Sequence, residues 1–412
     1  MALLNLPPPL RFMIQHILLL ALCRASTYKK HGLARVFSGV DDNGKQHSEP
    51  NLAADLRELD LGVEMQIPDD VHGGLKTIKL FLWVLCLGAD MLGANSALPF
   101  TEGSMSTVPC RDCKWIRTSH DAFRPFSFLR RPPEGEQPRM QVKKWTDLKA
   151  LLQRLRLAKL GDTELKKEYT KHGINKLYFA LDPEYVPLID PTKITAQDLL
   201  HLFPDGITRH ELAWLINVLI ALGLDLDHLN AGIRSYPDFP PDVRVPGVHA
   251  SVADRKFGRP LPDATLRMSG SVIIHFALAS VFILEPLLTA EMKAHPAWAC
   301  WCKHAQLLSV CLQHELEVDD VKVIDDLQLE HARLFDAVPE YAGFQKPKHH
   351  FLVHLAPHTY RFGPLRGVWC FGFEHFNSVI KHAGVRTNFL NESLGIARFW
   401  SMRHARWLSL VP

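Results

Sequence analysis

The segment Thr77–Asp90, TIKLFLWVLCLGAD, decides the fold prediction because an apolar run of strand length ends abruptly at Gly88-Ala89-Asp90. An unbroken apolar run is typical of a strand at the centre of a sheet that is covered on both faces. The preceding segment, Asn51–Leu61, has apolar residues at helical spacing and Asn51 as a suitable N-cap. The sequence therefore predicts an α/β domain. Asp90 would lie at the carboxyl end of a central strand, where functional groups commonly lie in such sheets.

The pattern becomes mainly helical between about Val142 and Glu340. A loop rich in proline and aspartate, Tyr236–Pro262, divides this region. The predicted helices are Trp145–Leu160, Ile194–Leu202, Glu211–Leu224, Ser271–Leu288 and Val321–Ala337.

The two ends of the chain return to strand-like patterns. Residues 11–23 predict a β-rich buried segment, and HHFLVHL and FGPLRGVWCFGF predict strands after Lys346. EHFNSVIKHAG predicts a helix that ends at Gly384. We therefore expect a sheet domain that is interrupted by a large helical insertion. The predicted boundaries are 1–135 for the first part of the sheet domain, 136–345 for the insertion and 346–412 for the return.

Composition places the chain among globular proteins, with 47% hydrophobic and 22% charged residues over 412 positions. The net charge of +3 is unevenly spread: residues 110–171 sum to +8, residues 344–412 to +7 and residues 311–340 to −7. Two basic zones favour contact with a polyanion such as DNA, although solvated helix faces also produce such zones. The candidate DNA-binding residues are Lys346, Lys348, Arg361, Arg366 and Lys381.

Two features bear on the compartment. Eight cysteines are too few for a disulfide scaffold in a chain of this length, which favours a reducing environment. The segment RFMIQHILLLALCRAS has the outline of a signal peptide, but Gln15 and His16 interrupt it, and a buried strand or core helix is the favoured interpretation. Because no apolar run reaches about 18 uninterrupted residues, we expect no membrane span.

Cys110 and Cys113 form a Cys-x-x-Cys pair, whose two-residue gap lets both sulfurs reach one tetrahedral zinc ion. One pair supplies only two of four ligands. Asp198-x-x-His201 is the better-spaced candidate for the rest, since both side chains can converge from one helical turn. Redox and purely structural roles for the cysteines remain open alternatives.

The histidine-rich segment Lys346–His358, KPKHHFLVHLAPH, also suggests a metal site. If it is a strand, His350 and His354 lie about 13 Å apart, so packing or phosphate contact is favoured over metal binding. Glu374 follows the aromatic run VWCFGF and opens the predicted helix, where an ordinary first-turn glutamate is the alternative to a functional one.

In their order along the chain, these residues resemble the landmarks of a cut-and-paste DNA transposase of the DDE class, in particular those of CACTA-type elements and related eukaryotic transposases. The landmarks are Asp90, Cys110-x-x-Cys113, Asp198-x-x-His201 and Glu374. The likeness runs from about residue 11 to 384 and rests on ILLLALCRASTYKKHG, GADMLGAN, DLLHLFPDGITRHEL, LRMSGS, KPKHHFLVHL and FGPLRGVWCFGFEHFNSVIK.

The resemblance implies an RNase H-like catalytic domain with a helical insertion before its last acid. Asp90 would be the second and Glu374 the third of three acids that hold Mg²⁺ or Mn²⁺ for phosphoryl transfer on DNA. Asp198 and His201 would match the family's Asp-x-x-His motif, with a zinc, DNA or structural role. A nuclear location and a homo-oligomer are further implications.

The chain also departs from the family pattern. The first acid of the family lies on a strand upstream of LLLALC, so we expect that strand and acid to be absent here, and neither Asp41 nor Asp42 can replace it. Asp205 stands near the position of a family glutamate. The sequence therefore predicts a transposase-derived DNA-binding protein with impaired catalysis. The alternatives are a zinc-stabilised chromatin or interaction protein, and an active enzyme whose missing aspartate comes from an upstream segment.

Overall fold

The chain divides into two compact units in this computed structural model. The first comprises the described residues up to Lys114, those of Val142–Thr195, and those from Cys370 onwards; the second comprises Trp115 and the described residues of Ala196–Trp369. The structure describes residues 40–41, 44–47, 52–68, 74–80, 87–102, 106–115, 142–158, 160–185, 189–249, 264–372, 374, 398–399 and 402.

The described elements are mostly helices, accompanied by one two-stranded sheet. In the first unit they are α1 (Leu52–Leu61), β1 (Val63–Pro68), β2 (Leu75–Leu80), α2 (Met91–Ala97), α3 (Trp145–Leu157) and α4 (Asp162–His172).

The second unit holds the remaining elements. They are α5 (Leu199–Leu202), a π-helical segment (Phe203–Thr208), α6 (Arg209–Ala221), α7 (Leu226–Ser235), α8 (Gly270–Leu284), α9 (Ala290–Ala294), α10 (Pro296–Cys311), α11 (Val318–Ala337), α12 (Pro347–Phe351) and α13 (Leu355–Phe362), with short 3₁₀ turns at Glu285–Leu287, Pro339–Tyr341, Leu352–His354 and Leu365–Gly367.

The sheet of the first unit is an antiparallel pair in which Val63 faces Leu80 and Pro68 faces Leu75. Thr77 and Lys79 of β2 are exposed. The prediction of a central strand covered on both faces is therefore wrong for this part of the run: the described residues form a hairpin open to solvent. The coarser expectation of helices together with a sheet is confirmed.

The core of the first unit lies beneath α3, whose inward face buries Leu148, Leu152 and Leu155. These leucines recur at intervals of three and four residues, the spacing that places side chains on one face of a helix. An antiparallel bridge between Phe100 and Ile174 closes the same cluster. The fold of this unit thus rests on helix packing and isolated bridges as well as on the hairpin.

The second unit is organised around α6, in which every residue from Glu211 to Leu219 is buried. Trp214 lies fully buried at its centre, with ring centroids 5.2 Å from Phe344, 5.7 Å from Tyr341 and 6.0 Å from Phe335. A helix that is apolar around most of its circumference must be covered on all sides. Helix α10 packs against α6, Phe335 of α11 packs against Trp214, and α8 and α11 both pack on α10.

One helical segment among the described residues, Gly270–Leu287, is long and apolar enough to cross a membrane by length and composition alone. In this structure 44% of the segment is buried, and it packs on α10. Trp301 of α10 donates an indole hydrogen bond of 2.9 Å to Ser280 in its middle. These contacts are those of a core helix in the second unit.

The two strands predicted after Lys346 are wrong. HHFLVHL is helical, running through α12 and a 3₁₀ turn into α13, and the described part of FGPLRGVWCFGF contains the turn Leu365–Gly367 rather than a strand. Pro347 starts α12 at a position where proline is favoured, because its missing N–H would have no helical partner anyway. The mixed apolar pattern of so short a segment fits either period, so periodicity alone could not decide between helix and strand.

Several other predictions are met or lie outside the described residues. The expected helices at Asn51–Leu61, Trp145–Leu160, Glu211–Leu224 and Val321–Ala337 are present with boundaries shifted by a few residues. The segments 11–23, 81–86 and 375–384, which include most of the helix predicted after Glu374, lie outside. The predicted boundaries at 135 and 345 do not coincide with the borders of the two compact units.

Candidate metal centre

The Cys-x-x-Cys pair lies in a tight, buried turn. Cys110 is 1% exposed and Cys113 is fully buried. Cys113 forms an antiparallel bridge with Val142, and the Lys143 backbone N–H donates to the carbonyl of Asp112. These backbone hydrogen bonds attach the turn to the segment that begins at Val142.

A buried ammonium group lies beside this turn. The Nζ of Lys143 donates a 2.7 Å hydrogen bond to the carbonyl of Cys110 and lies 4.9 Å from the centre of the Phe100 ring. Burial lowers the pKa of Lys143, while negative charge on the sulfurs of Cys110 and Cys113 opposes that fall.

The second unit contains a pair of histidines on one helical face. His350 and His354 are both buried, and their Nε2 atoms lie 3.3 Å apart. In a tetrahedral zinc site with Zn–N bonds of about 2.0–2.1 Å, two nitrogen ligands lie about 3.3 Å apart. The helical conformation brings these histidines together, because residues four apart in a helix share a face.

The packing around the two histidines holds their rings in place. Trp115 stacks on His350 with a centroid distance of 4.2 Å and an angle of 13° between the planes. His358, whose Nδ1 accepts a hydrogen bond from the backbone N–H of Gln197, stacks beneath His354.

The first unit thus contains two buried thiols, Cys110 and Cys113, and the second contains two buried imidazoles, His350 and His354; these four residues could together hold a metal ion. Two thiolates and two imidazoles constitute a common ligand set for structural zinc, with a total charge that balances Zn²⁺. Such a site uses all four ligands for the protein and leaves no position for substrate. The group could hold a zinc ion whose role is to stabilise the fold.

Asp198 and His201, the ligands predicted to complete the Cys pair, interact directly with each other. Asp198 is the N-cap of α5: its carboxylate accepts from the backbone N–H groups of Leu200 and His201, each at 3.3 Å. The same carboxylate contacts the imidazole Nδ1 of His201. The cap accounts for their three-residue spacing, and their role as metal ligands stays a prediction.

Both predicted catalytic acids belong to the first unit, Asp90 as the N-cap of a helix and Glu374 at a helical position. Asp90 caps α2, with its Oδ1 accepting the backbone N–H of Gly93 at 2.6 Å. Glu374 is exposed, and its backbone N–H donates to the carbonyl of Cys370. Among the described residues, clusters of three or more potential metal ligands include neither acid. Their catalytic role stays a prediction.

The predicted DNA-binding residues differ in their surroundings. Arg361 is exposed. Lys348 donates hydrogen bonds to the carbonyls of His201 and Asp205. Arg366 donates one to the carbonyl of Leu312. Both side chains therefore also stabilise the fold. Lys381 lies outside the described residues, and Lys346 is half-buried.

Comparison with protein-family models gives no match, and comparison with curated proteins gives no significant match.

Sequence reasoning named the two cysteines but assigned the wrong conformation to the two histidines. A signal was present, because His-x-x-x-His after a proline is the spacing of two ligands on one turn of a helix. The strand interpretation of the intervening FLV concealed it.

Proposed function

We propose that this chain is a zinc-stabilised DNA-binding protein derived from a DDE-class transposase, with an RNase H-like core. The observation that carries the proposal is the Cys110, Cys113, His350 and His354 group. In the sequence, Cys110 and Cys113 follow Asp90, and His350 and His354 precede Glu374. All four therefore lie between two of the residues on which the resemblance rests.

Charge supports the choice of DNA as partner. Residues 344–412 sum to +7 and residues 110–171 sum to +8, and these two zones contain the candidate zinc ligands. A zinc ion held by two thiolates adds no net charge, so the basic character of both zones would persist in the zinc-bound protein. We expect binding to the phosphate backbone with little sequence preference.

Zinc content and thermal unfolding test the zinc centre. Wild-type protein should bind zinc. Cys110→Ser/Cys113→Ser should lose the ion from this centre and should unfold at a lower temperature than the wild type. Cys302→Ser is the matched control, because Cys302 is half-buried on α10 and belongs to no candidate ligand group among the described residues. Equal zinc content in the double variant and the wild type would contradict the zinc centre.

DNA binding is measured separately, as duplex affinity between 50 and 200 mM salt. Electrostatic binding predicts a linear fall of log affinity with log salt, with a slope of about −0.9 for each neutralised phosphate. Arg361→Ala should weaken binding and make the slope shallower by about 1. An affinity that is independent of salt would refute the role of the basic zones while leaving the zinc centre intact.

The resemblance also offers a test for residual catalysis. If the protein is an active enzyme of this class, it should nick DNA with Mg²⁺ or Mn²⁺, and Asp90→Ala and Glu374→Ala should each abolish the nicking. Equal nicking by either variant would dismiss these two acids as catalytic. Absence of nicking in the wild type, with DNA binding retained, would support a role in DNA binding without catalysis.

A further inference from the structure

A second group of potential ligands lies wholly inside the second unit and involves none of the residues described so far as metal ligands. Glu211 on α6 is 2% exposed, and its carboxylate faces His304 of α10, His331 of α11 and His349 of α12, each of which is fully buried. Four different helices therefore bring one carboxylate and three imidazoles to a single buried point.

The distances suit ligands of one ion. Oε2 of Glu211 lies 2.8 Å from Nε2 of His331 and 3.3 Å from Nδ1 of His304. In a tetrahedral site with bonds of about 2.0–2.1 Å, neighbouring N and O ligands lie about 3.3 Å apart. The distance from Oε2 to His304 already matches this value, the distance to His331 is about half an ångström shorter, and all three ligand atoms lie within 4.8 Å of one another.

Two nitrogens in this group are buried and make no hydrogen bond, the Nδ1 atoms of His304 and His331. Nδ1 of His304 faces the Glu211 carboxylate at a distance of 3.3 Å. Burying a polar nitrogen without a partner is costly, and buried groups of this kind commonly point to an ion or a water molecule. A cation coordinated by this nitrogen would remove the cost.

Charge balance gives a second reason. No lysine or arginine forms an ion pair with Glu211 among the described residues, although the carboxylate is almost completely buried. A buried carboxylate needs a compensating positive charge, and a divalent cation at this point would supply it.

The surrounding hydrogen bonds resemble the outer shell of a metal site. Nε2 of His304 pairs with the hydroxyl of Thr208 at 2.8 Å, which fixes the ring and leaves Nδ1 facing the carboxylate. Nε2 of His349 donates to the other oxygen of Glu211 at 3.0 Å, and its Nδ1 accepts the backbone N–H of Lys346 at 2.8 Å. Ligating histidines and carboxylates are typically held by partners of this kind.

We propose that Glu211, His304 and His331 form a second metal site, which binds a divalent transition ion such as Zn²⁺ through one oxygen and two nitrogen ligands, with Thr208 and His349 as positioning residues. The site differs in chemistry from the cysteine-containing centre because it offers no sulfur ligand. The two sites can therefore be distinguished by spectroscopy within one chain.

The test uses full-length protein that has been stripped of metal and titrated with Co²⁺, whose absorption shows a thiolate charge-transfer band only when sulfur is a ligand. The wild type should bind two equivalents, with the thiolate band saturating at one of them. Cys110→Ser/Cys113→Ser should retain one equivalent without that band. A single equivalent in the wild type, all of it with thiolate ligands, would overturn the second site.

Variants of the second site provide the complementary arm. His304→Gln/His331→Gln should lose one equivalent while keeping the thiolate band, and the band itself reports that the chain remains folded. His210→Gln is the matched control, because His210 precedes Glu211 directly but hydrogen-bonds to the carbonyl of Ala264 instead. Two equivalents in the double variant would also overturn the proposal.

Thr208→Val tests the positioning role without removing a ligand. Loss of the hydroxyl that holds His304 should weaken Co²⁺ affinity at the sulfur-free site by about 10–100-fold and leave the thiolate band unchanged. An unchanged affinity at the sulfur-free site would show that Thr208 does not position His304 for a metal.

Discussion

The second unit contains two carboxylate–histidine groups that are built in opposite ways. Asp198 and His201 are three residues apart on one short helix, and the carboxylate mainly caps that helix. Glu211 meets histidines that follow it by 93, 120 and 138 positions, and all four side chains are buried. The first group is formed by residues that are close together in the sequence. The second exists only when four helices are packed together.

The comparison predicts very different responses to substitution, and the largest is expected at Glu211. Glu211→Ala removes the carboxylate that the three buried imidazoles face and leaves a cavity, so we expect the free energy of unfolding to fall by about 3–5 kcal/mol. Urea denaturation measures this. Glu291→Ala, an exposed first-turn glutamate of α9, should change it by about 0.5 kcal/mol or less. A loss below 1 kcal/mol at Glu211 would remove the contrast between the two groups.

The next largest effect is expected in the pH dependence of the free energy of unfolding of the metal-free protein. The pKa of His304 is about 4 in the folded chain, against about 6.5 when unfolded, so the unfolded state binds more protons between these values. Stability should therefore fall as the pH is lowered from about 6.5 towards 4, by up to about 3 kcal/mol for this residue.

Urea denaturation at a series of pH values checks this expectation. Glu211 does not counteract this loss of stability between pH 6.5 and 4.5. Because the pKa of its carboxyl is lowered in the folded chain, the stability that Glu211 contributes is lost only at lower pH. His304→Gln should make the profile flatter over that window. A variant profile that runs parallel to that of the wild type would show that His304 does not carry the effect.

A smaller effect is expected at the local group. Asp198→Ala removes the N-cap of α5 and should cost about 1 kcal/mol, within the range of 0.5–2 kcal/mol for such caps. Asp198→Asn is the control, because the amide oxygen can still accept the backbone N–H groups and should restore most of the loss. A cost above 3 kcal/mol would mean that Asp198 has a role beyond capping, and its prediction as a metal ligand would gain support.

The smallest effect is expected for His201→Ala. The imidazole is 29% exposed and pairs with a carboxylate that keeps its backbone partners without it, so we expect a change below about 1 kcal/mol in thermal or urea unfolding. A change as large as that at Glu211 would erase the distinction between a local and a long-range group.

Local patterns predicted much of the helical part of the chain. The helices α1, α3, α6 and α11 were expected from apolar residues spaced three and four apart, and each is present. The Cys110 and Cys113 pair was also evident, since two residues between thiols is a spacing that the chain itself fixes. Strand predictions failed at HHFLVHL because a segment of seven residues is too short for its period to separate a helix from a strand.

The sequence by itself determined the lengths of the main helices, the cap at Asp198 and the position of the Cys-x-x-Cys turn, because each depends on residues a few positions apart. Tertiary structure decided that His350 and His354 lie on one helical turn beneath Trp115. It also decided that Glu211 is surrounded by His304, His331 and His349. No spacing rule links residues that are about a hundred positions apart. Their meeting follows from the burial of α6 within the second unit, where a charged carboxylate must find partners from other helices.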